Sequence, residues 1–123
     1  MPKSTTLANA LLNAVLRNTS YTSPSTVYVA LFNGDPASSG TEATGGSYAR
    51  QAVTFAAPSG GSVSNTANVT FTNMPAMTVS YVAIYDSLTG GNRLYSAAAA
   101  SSKVTNSTDT LTIAGGALVV TES

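Results

Sequence analysis

The sequence predicts a mainly β protein, an antiparallel β-sandwich or partial barrel preceded by one N-terminal α-helix. Three observations lead there. Short runs rich in Val, Tyr, Phe, Ile and Thr recur at intervals of about 8–15 residues, separated by Gly-, Ser- and Asn-rich turns. Ser and Thr supply 35 of 123 residues, and Thr favours strands while Ser and Gly favour turns. Only one segment, at the start, shows helical spacing. A hydrophobic fraction of 43% argues against disorder. No repeat or linker interrupts residues 1–123, so a single domain is expected.

The helix is predicted over Thr5 to Arg17. Leu7, Leu11, Ala14 and Val15 lie on one side, and Ala8, Leu12 and Leu16 widen the stripe. Asn9, Asn13 and Arg17 form a narrow polar face. Ser4, Thr5 or Thr6 can cap the first turn, and Asn18 can take the left-handed stop. The broad apolar face is expected to pack on the domain's own sheet, with docking on another subunit as the alternative.

"TVYVALF", Thr26 to Phe32, is apolar on both faces and predicts a strand covered on both sides. A long loop, Asn33 to Arg50, separates it from a strand in "RQAVTFAA". "SVSNTANVTFTNM" predicts two short strands joined around Asn65 and Asn68. "MTVSYVAIYDSLTGGNRLYSAAAA" predicts a hairpin with a central first strand. "DTLTIAGGALVVTES" is expected to form a second hairpin about Gly115-Gly116, with Leu111 and Ile113 facing Leu118 and Val120.

Charge is scarce. Lys3, Arg17, Arg50, Arg93 and Lys103 balance Asp35, Glu42, Asp86, Asp109 and Glu122, giving a net charge of +0. Nothing here attracts nucleic acid or an anionic membrane. Charged residues are 8% of the chain, against roughly 25% in an ordinary soluble protein. So little charge favours association. No run reaches the ~18 apolar residues of a membrane span. The N-terminal apolar run is broken by Asn9 and Asn13, so no signal peptide is expected and folding is placed in a cytoplasm.

The chain contains no Cys and no His. Disulfides, thiolate ligands, His bases and the Ser-His-Asp relay are therefore excluded. A carboxylate pair for glycoside hydrolysis could be drawn from Asp35, Glu42 and Asp86. Each sits in a turn-like context, so turn roles are expected, with no catalytic, cofactor or metal residue assigned and no enzymatic activity. Tyr28, Tyr81, Tyr85 and Tyr95 fall in strands, where packing is the expected role. Tyr48, in the long loop, is the expected surface contact.

From "ALF" through "DP", "GTE", "GGSYARQ" and the "SN" turn, on to "VAIYDSLTGGNRLYSA" and "DTLTIAGGALVV", the chain resembles short virion proteins of tailed bacteriophages. These are usually called tail-fibre-like, and similar small β-proteins serve as head decoration or cement proteins. The resemblance implies a virion component and brings no catalytic residues. One compact domain without a coiled-coil or β-helical shaft favours the decoration role. In that role the chain would bind the major capsid protein on the capsid exterior, as a homotrimer, after assembly in the host cytoplasm. The alternative is a tail-fibre or tail-tip module contacting host-surface glycan. The loop Asn33 to Arg50 is then expected to be an interaction arm, unless Glu42 and Arg50 pair within the chain and simply close it.

Overall fold

A computed structural model describes residues 2–122. Its elements run α1 (Thr5–Leu16), β1 (Val27–Asn33), β2 (Thr41–Glu42), β3 (Gln51–Val53), β4 (Ser62–Ser64), β5 (Val69–Met74), β6 (Met77–Tyr85), β7 (Arg93–Thr105), β8 (Asp109–Ile113) and β9 (Val119–Thr121). The architecture is mainly β, in open antiparallel sheets with one helix, as the sequence predicts.

Helix α1 starts because Ser4 is extended and its hydroxyl accepts the Leu7 N–H at 3.1 Å. It stops at Arg17, and Asn18 takes a positive φ of 53°. The Ser4 N–H donates to the Leu94 carbonyl at 2.8 Å, pinning the first turn to β7. Only Leu7 is buried. Leu11 packs partly on the core, whereas Leu12, Val15 and Leu16 stay 56%, 78% and 73% exposed. Packing of the stripe on the chain's own sheet therefore holds for the first turns and fails for the last.

The main sheet is built on β1 and β6, which pair from Tyr28–Tyr85 to Phe32–Tyr81. The other edge of β1 takes β3 along its first half and β2 at its end. Strand β7 lies outside β6. Because β1 alternates strictly, Val29 and Leu31 face one core while Ala30 and Phe32 face another. Phe32 stacks on Tyr85 on that second face, with ring centroids 6.2 Å apart. Strand β3 runs on past the sheet: Thr54 O accepts the Thr66 N–H and Ala56 N–H donates to Ser64 O, carrying the chain into the second layer.

That second layer departs from the sequence expectation. The segments around Gly115-Gly116 do not form a hairpin. Strand β8 pairs with β5 (Val69–Ile113, Phe71–Leu111), and β9 pairs with β4 (Val63–Val120). Thus β4–β5 and β8–β9 are two arches that pair strand for strand. Their junction is the side chain of Asn65, 2% exposed. Its Nδ2 donates to Ala67 O at 2.9 Å and Ala114 O at 3.0 Å, and its Oδ1 accepts the Leu118 N–H at 2.9 Å. Gly115 N–H is taken by Asn68 Oδ1 at 2.9 Å. The turn's polar groups are satisfied across the arches, so it has no need of a hairpin partner. Phe71, Met74, Leu118 and Val120 from these arches meet Val29, Leu31, Val79 and Ile84 in the main core.

Candidate functional site

The loop from Asn33 to Arg50 is not an outward arm. Asp35 Oδ1 accepts the Ala37 N–H at 2.9 Å, the backbone turns back at Gly40, and β2 returns along β1. This puts Glu42 beside Arg50. Arg50 Nε and Nη2 each donate to Glu42 at 2.9 Å, one bond to each carboxylate oxygen. Arg50 Nη1 donates to Ser87 O at 3.0 Å and Gly90 O at 2.8 Å, in the β6–β7 turn. The guanidinium lies 3.8 Å from the centroid of the Tyr85 ring. A bidentate pair with two carbonyl ties uses four of the five N–H donors, and the fork geometry of Arg suits this role as Lys could not.

Tyr48 completes the lock and corrects a second expectation, that it would be a surface contact. Its hydroxyl accepts the Leu31 N–H at 3.0 Å and donates to Glu42 Oε2 at 2.8 Å. Its ring stacks on Phe71 at 5.9 Å. Burial pushes the phenol's pKa further above its ordinary value. Burial would also raise the Glu42 carboxyl. Hydrogen bonds from Arg50 and Tyr48 and the Arg50 charge outweigh it, and the group is held below the usual carboxylate range. A carboxylate with both oxygens occupied, facing a cation, is poorly placed to take or give a proton. Gly46 allows the approach of this loop to β5: its φ is +56°, and a Cβ would run into the Asn73 carbonyl oxygen.

The remaining carboxylates also have partners within the chain. Asp86 accepts from the Asn92 N–H at 2.7 Å, and Asp109 accepts from the Asn106 N–H at 2.8 Å. Glu122 pairs with Lys3 and accepts from the Tyr95 hydroxyl at 2.8 Å. Burial, the hydrogen bond to Glu122 and the Glu122 charge push the Tyr95 phenol up to about 12. Among the described residues no three His, Cys, Asp or Glu side chains gather as metal ligands. No helix of the structure is long and apolar enough to cross a membrane.

Among the described residues, two apolar surfaces stand out as unpartnered. One is the outer stripe of α1. The other is an open groove of about 720 Å³ between β7 and the β8–β9 arch, lined by Val79, Val82, Ala97 to Ala100, Val104, Leu111, Ile113 and Val119. Strand β7 causes the opening. Pro2 O accepts the Ser96 N–H, and Lys3 bridges Tyr95, so the N-terminal segment covers the β7 edge up to Ser96. Beyond Ser96, β7 pairs only with β6, and no register joins it to β8. The sequence reading missed this groove. Its only trace was the run "SAAAASS", which offers small side chains where a covered strand would present large ones.

No curated protein matches the chain. The family model described as podophage GP4 fiber I protein gp80 matches residues 2–121, nearly the whole length, which accords with the bacteriophage resemblance of its motifs. The chain belongs to the podophage GP4 fiber I protein gp80 family.

Proposed function

We propose that the chain is a non-catalytic structural component of a phage fibre, acting by apolar contact with neighbouring subunits. The observation that carries this reading is the family match over residues 2–121, under a name that specifies a fibre. The exposed α1 stripe and the β7–β8 groove support it, since a protein that worked alone would have little reason to leave both uncovered. The mechanism is physical. At roughly 25 cal/mol per Å² of apolar area, a few hundred Å² per contact amounts to several kcal/mol before ordering costs. Repetition of the contact raises avidity further. A homotrimer is the assembly we expect.

The second reading is a capsid decoration protein bound to the major capsid protein on the head exterior. It is favoured by compactness: the described residues form one layered unit with no shaft. Particles lacking the protein separate the two. A fibre role predicts heat-resistant heads that adsorb poorly to cells. A decoration role predicts heads that open at lower temperature yet adsorb normally, with stability restored by adding the protein back. Contact with host glycan through Tyr48 is not part of either reading, because that ring lies against Phe71. Neither role involves turnover, so no hydrolysis of polysaccharide or peptidoglycan is expected.

A further inference from the structure

We propose that the exposed stripe of α1 in one copy seats in the β7–β8 groove of the next copy, joining chains head to tail. The proposal rests on the reading of this chain as an assembling structural component and names the surfaces it uses.

Both halves of the contact are present in every chain. Leu12, Val15 and Leu16 stand at the i, i+3 and i+4 positions of one helix face, each at least half exposed. That is the spacing by which an amphipathic helix anchors in an apolar groove. The groove offers Val82, Val104, Leu111 and Val119, of which Val104 is 72% exposed. A helix cannot reach the groove of its own chain. It is held by the Ser4–Leu94 hydrogen bond and by Leu7 at the first end of β7, whereas the groove opens beyond Ala97.

The charges match in the same sense. Arg17 follows the stripe, and its side chain meets only Asn13 Oδ1, at 3.3 Å, among the described residues. Asp109, on the groove, uses one oxygen for the Asn106 N–H. The Lys103 side chain, also on the groove, makes no hydrogen bond or ion pair among the described residues, and it suits the carbonyl end of an incoming helix. With a net charge of +0, copies meet without mutual repulsion.

A helix fits this place better than a strand. Four residues of β7, Ala99 to Ser102, stand opposite Ser80 alone, between the Val79–Lys103 and Tyr81–Ala98 pairs. Such a bulge throws the edge off line and hinders strand-to-strand pairing of copies. Because stripe and groove are different patches, the contact is heterologous. It closes into a ring or extends as a filament.

The absence of cysteine makes the test clean. Full-length Val15→Cys and Val104→Cys chains are prepared separately, mixed and oxidised. The expected product is a mixed disulfide between one chain of each kind, in at least about tenfold excess over disulfides within either preparation alone. Cross-linking of Val15→Cys with itself would mean helix-to-helix contact. Cross-linking of Val104→Cys with itself would mean edge pairing. Either result overturns the proposal, and so does the absence of any cross-link. A Val15→Asp chain checks the energetics: its association constant is expected to fall by about tenfold or more while its melting temperature holds. An unchanged association constant would also overturn it. The particle assays of head stability and adsorption do not enter these readouts, so the fibre reading stands or falls apart from this one.

Discussion

The loop from Asn33 to Arg50 and the groove beside β7 make opposite use of their residues. The loop holds three of the ten charged side chains: Asp35 caps the loop's own turn, while Glu42 and Arg50 turn inward, where with Tyr48 they bond one another and the β6–β7 turn. The groove and the α1 stripe are mainly apolar, with Lys103 and Asp109 on the groove and Arg17 just past the stripe, and they stay open. The Glu42–Arg50 pair serves as an interior lock, whereas the Lys3–Glu122 pair stays at the surface. The surface available for contact is then the apolar remainder. A polar, glycine-rich loop looked like the reaching element, but its polarity serves closure.

That contrast breaks first at Arg50. Arg50→Ala removes the partner of Glu42, two carbonyl ties and the contact with Tyr85. We expect a loss of about 2–4 kcal/mol, allowing for the partial exposure of Glu42, and a fall in melting temperature of roughly 10 °C or more. A change under about 2 °C would show that the lock is ornamental. Excising Pro36 to Gly46 would remove β2 and Glu42 together, so it is expected to lower stability severely. A true arm could be shortened at little cost.

Asn65→Asp comes next. A carboxylate there faces the carbonyls of Ala67 and Ala114 in place of a donor. The expected cost is about 2–3 kcal/mol, measured by urea unfolding. Gly46→Ala forces a Cβ toward Asn73 O at positive φ, with an expected loss of about 1–2 kcal/mol. Wild-type midpoints in the same titration would contradict either assignment.

Acid sharpens the comparison further. The native Glu42 carboxyl sits below its unfolded value, so the unfolded chain binds more protons as pH falls. Its contribution is complete above about pH 4.3, the ordinary Glu value, and is lost as pH drops through the depressed native one. Glu42→Gln should therefore show a shallower loss of stability below that point than the wild type. Identical slopes would remove Glu42 from the account. The smallest effect on folding is expected at the helix face, where Leu16→Ser should change stability by no more than about 0.5 kcal/mol.

Much of the main sheet was legible because its signals are local. The Ser4 cap, the Asn18 stop and the two apolar faces of β1 are each written within a dozen residues, and the β6–β7 hairpin is contiguous in sequence. The arches were not. "AGGA" reads equally as a hairpin turn, and what decides against it is Asn65, 53 positions from Leu118. For the loop, the sequence showed the right partners, Glu42 and Arg50, and left open whether they face inward. That depends on the β6–β7 turn supplying two carbonyls, which no spacing near Arg50 reveals. The groove escaped notice because its one trace, the small side chains of "SAAAASS", does not by itself show which strand edge is left unpaired.

The central claim is that the loop holds the fold while the helix face and groove hold neighbouring copies. Sedimentation velocity at tens of micromolar, roughly where weak interfaces populate, tests it on two chains whose melting temperatures are also known. Arg50→Ala should melt well below the wild type yet, at a temperature where it is folded, sediment as the same assembly. Val15→Asp should melt with the wild type and sediment as a smaller species. The reverse pattern, with Arg50→Ala dissociating and Val15→Asp assembling normally, or a wild-type protein that stays monomeric throughout, would contradict the account.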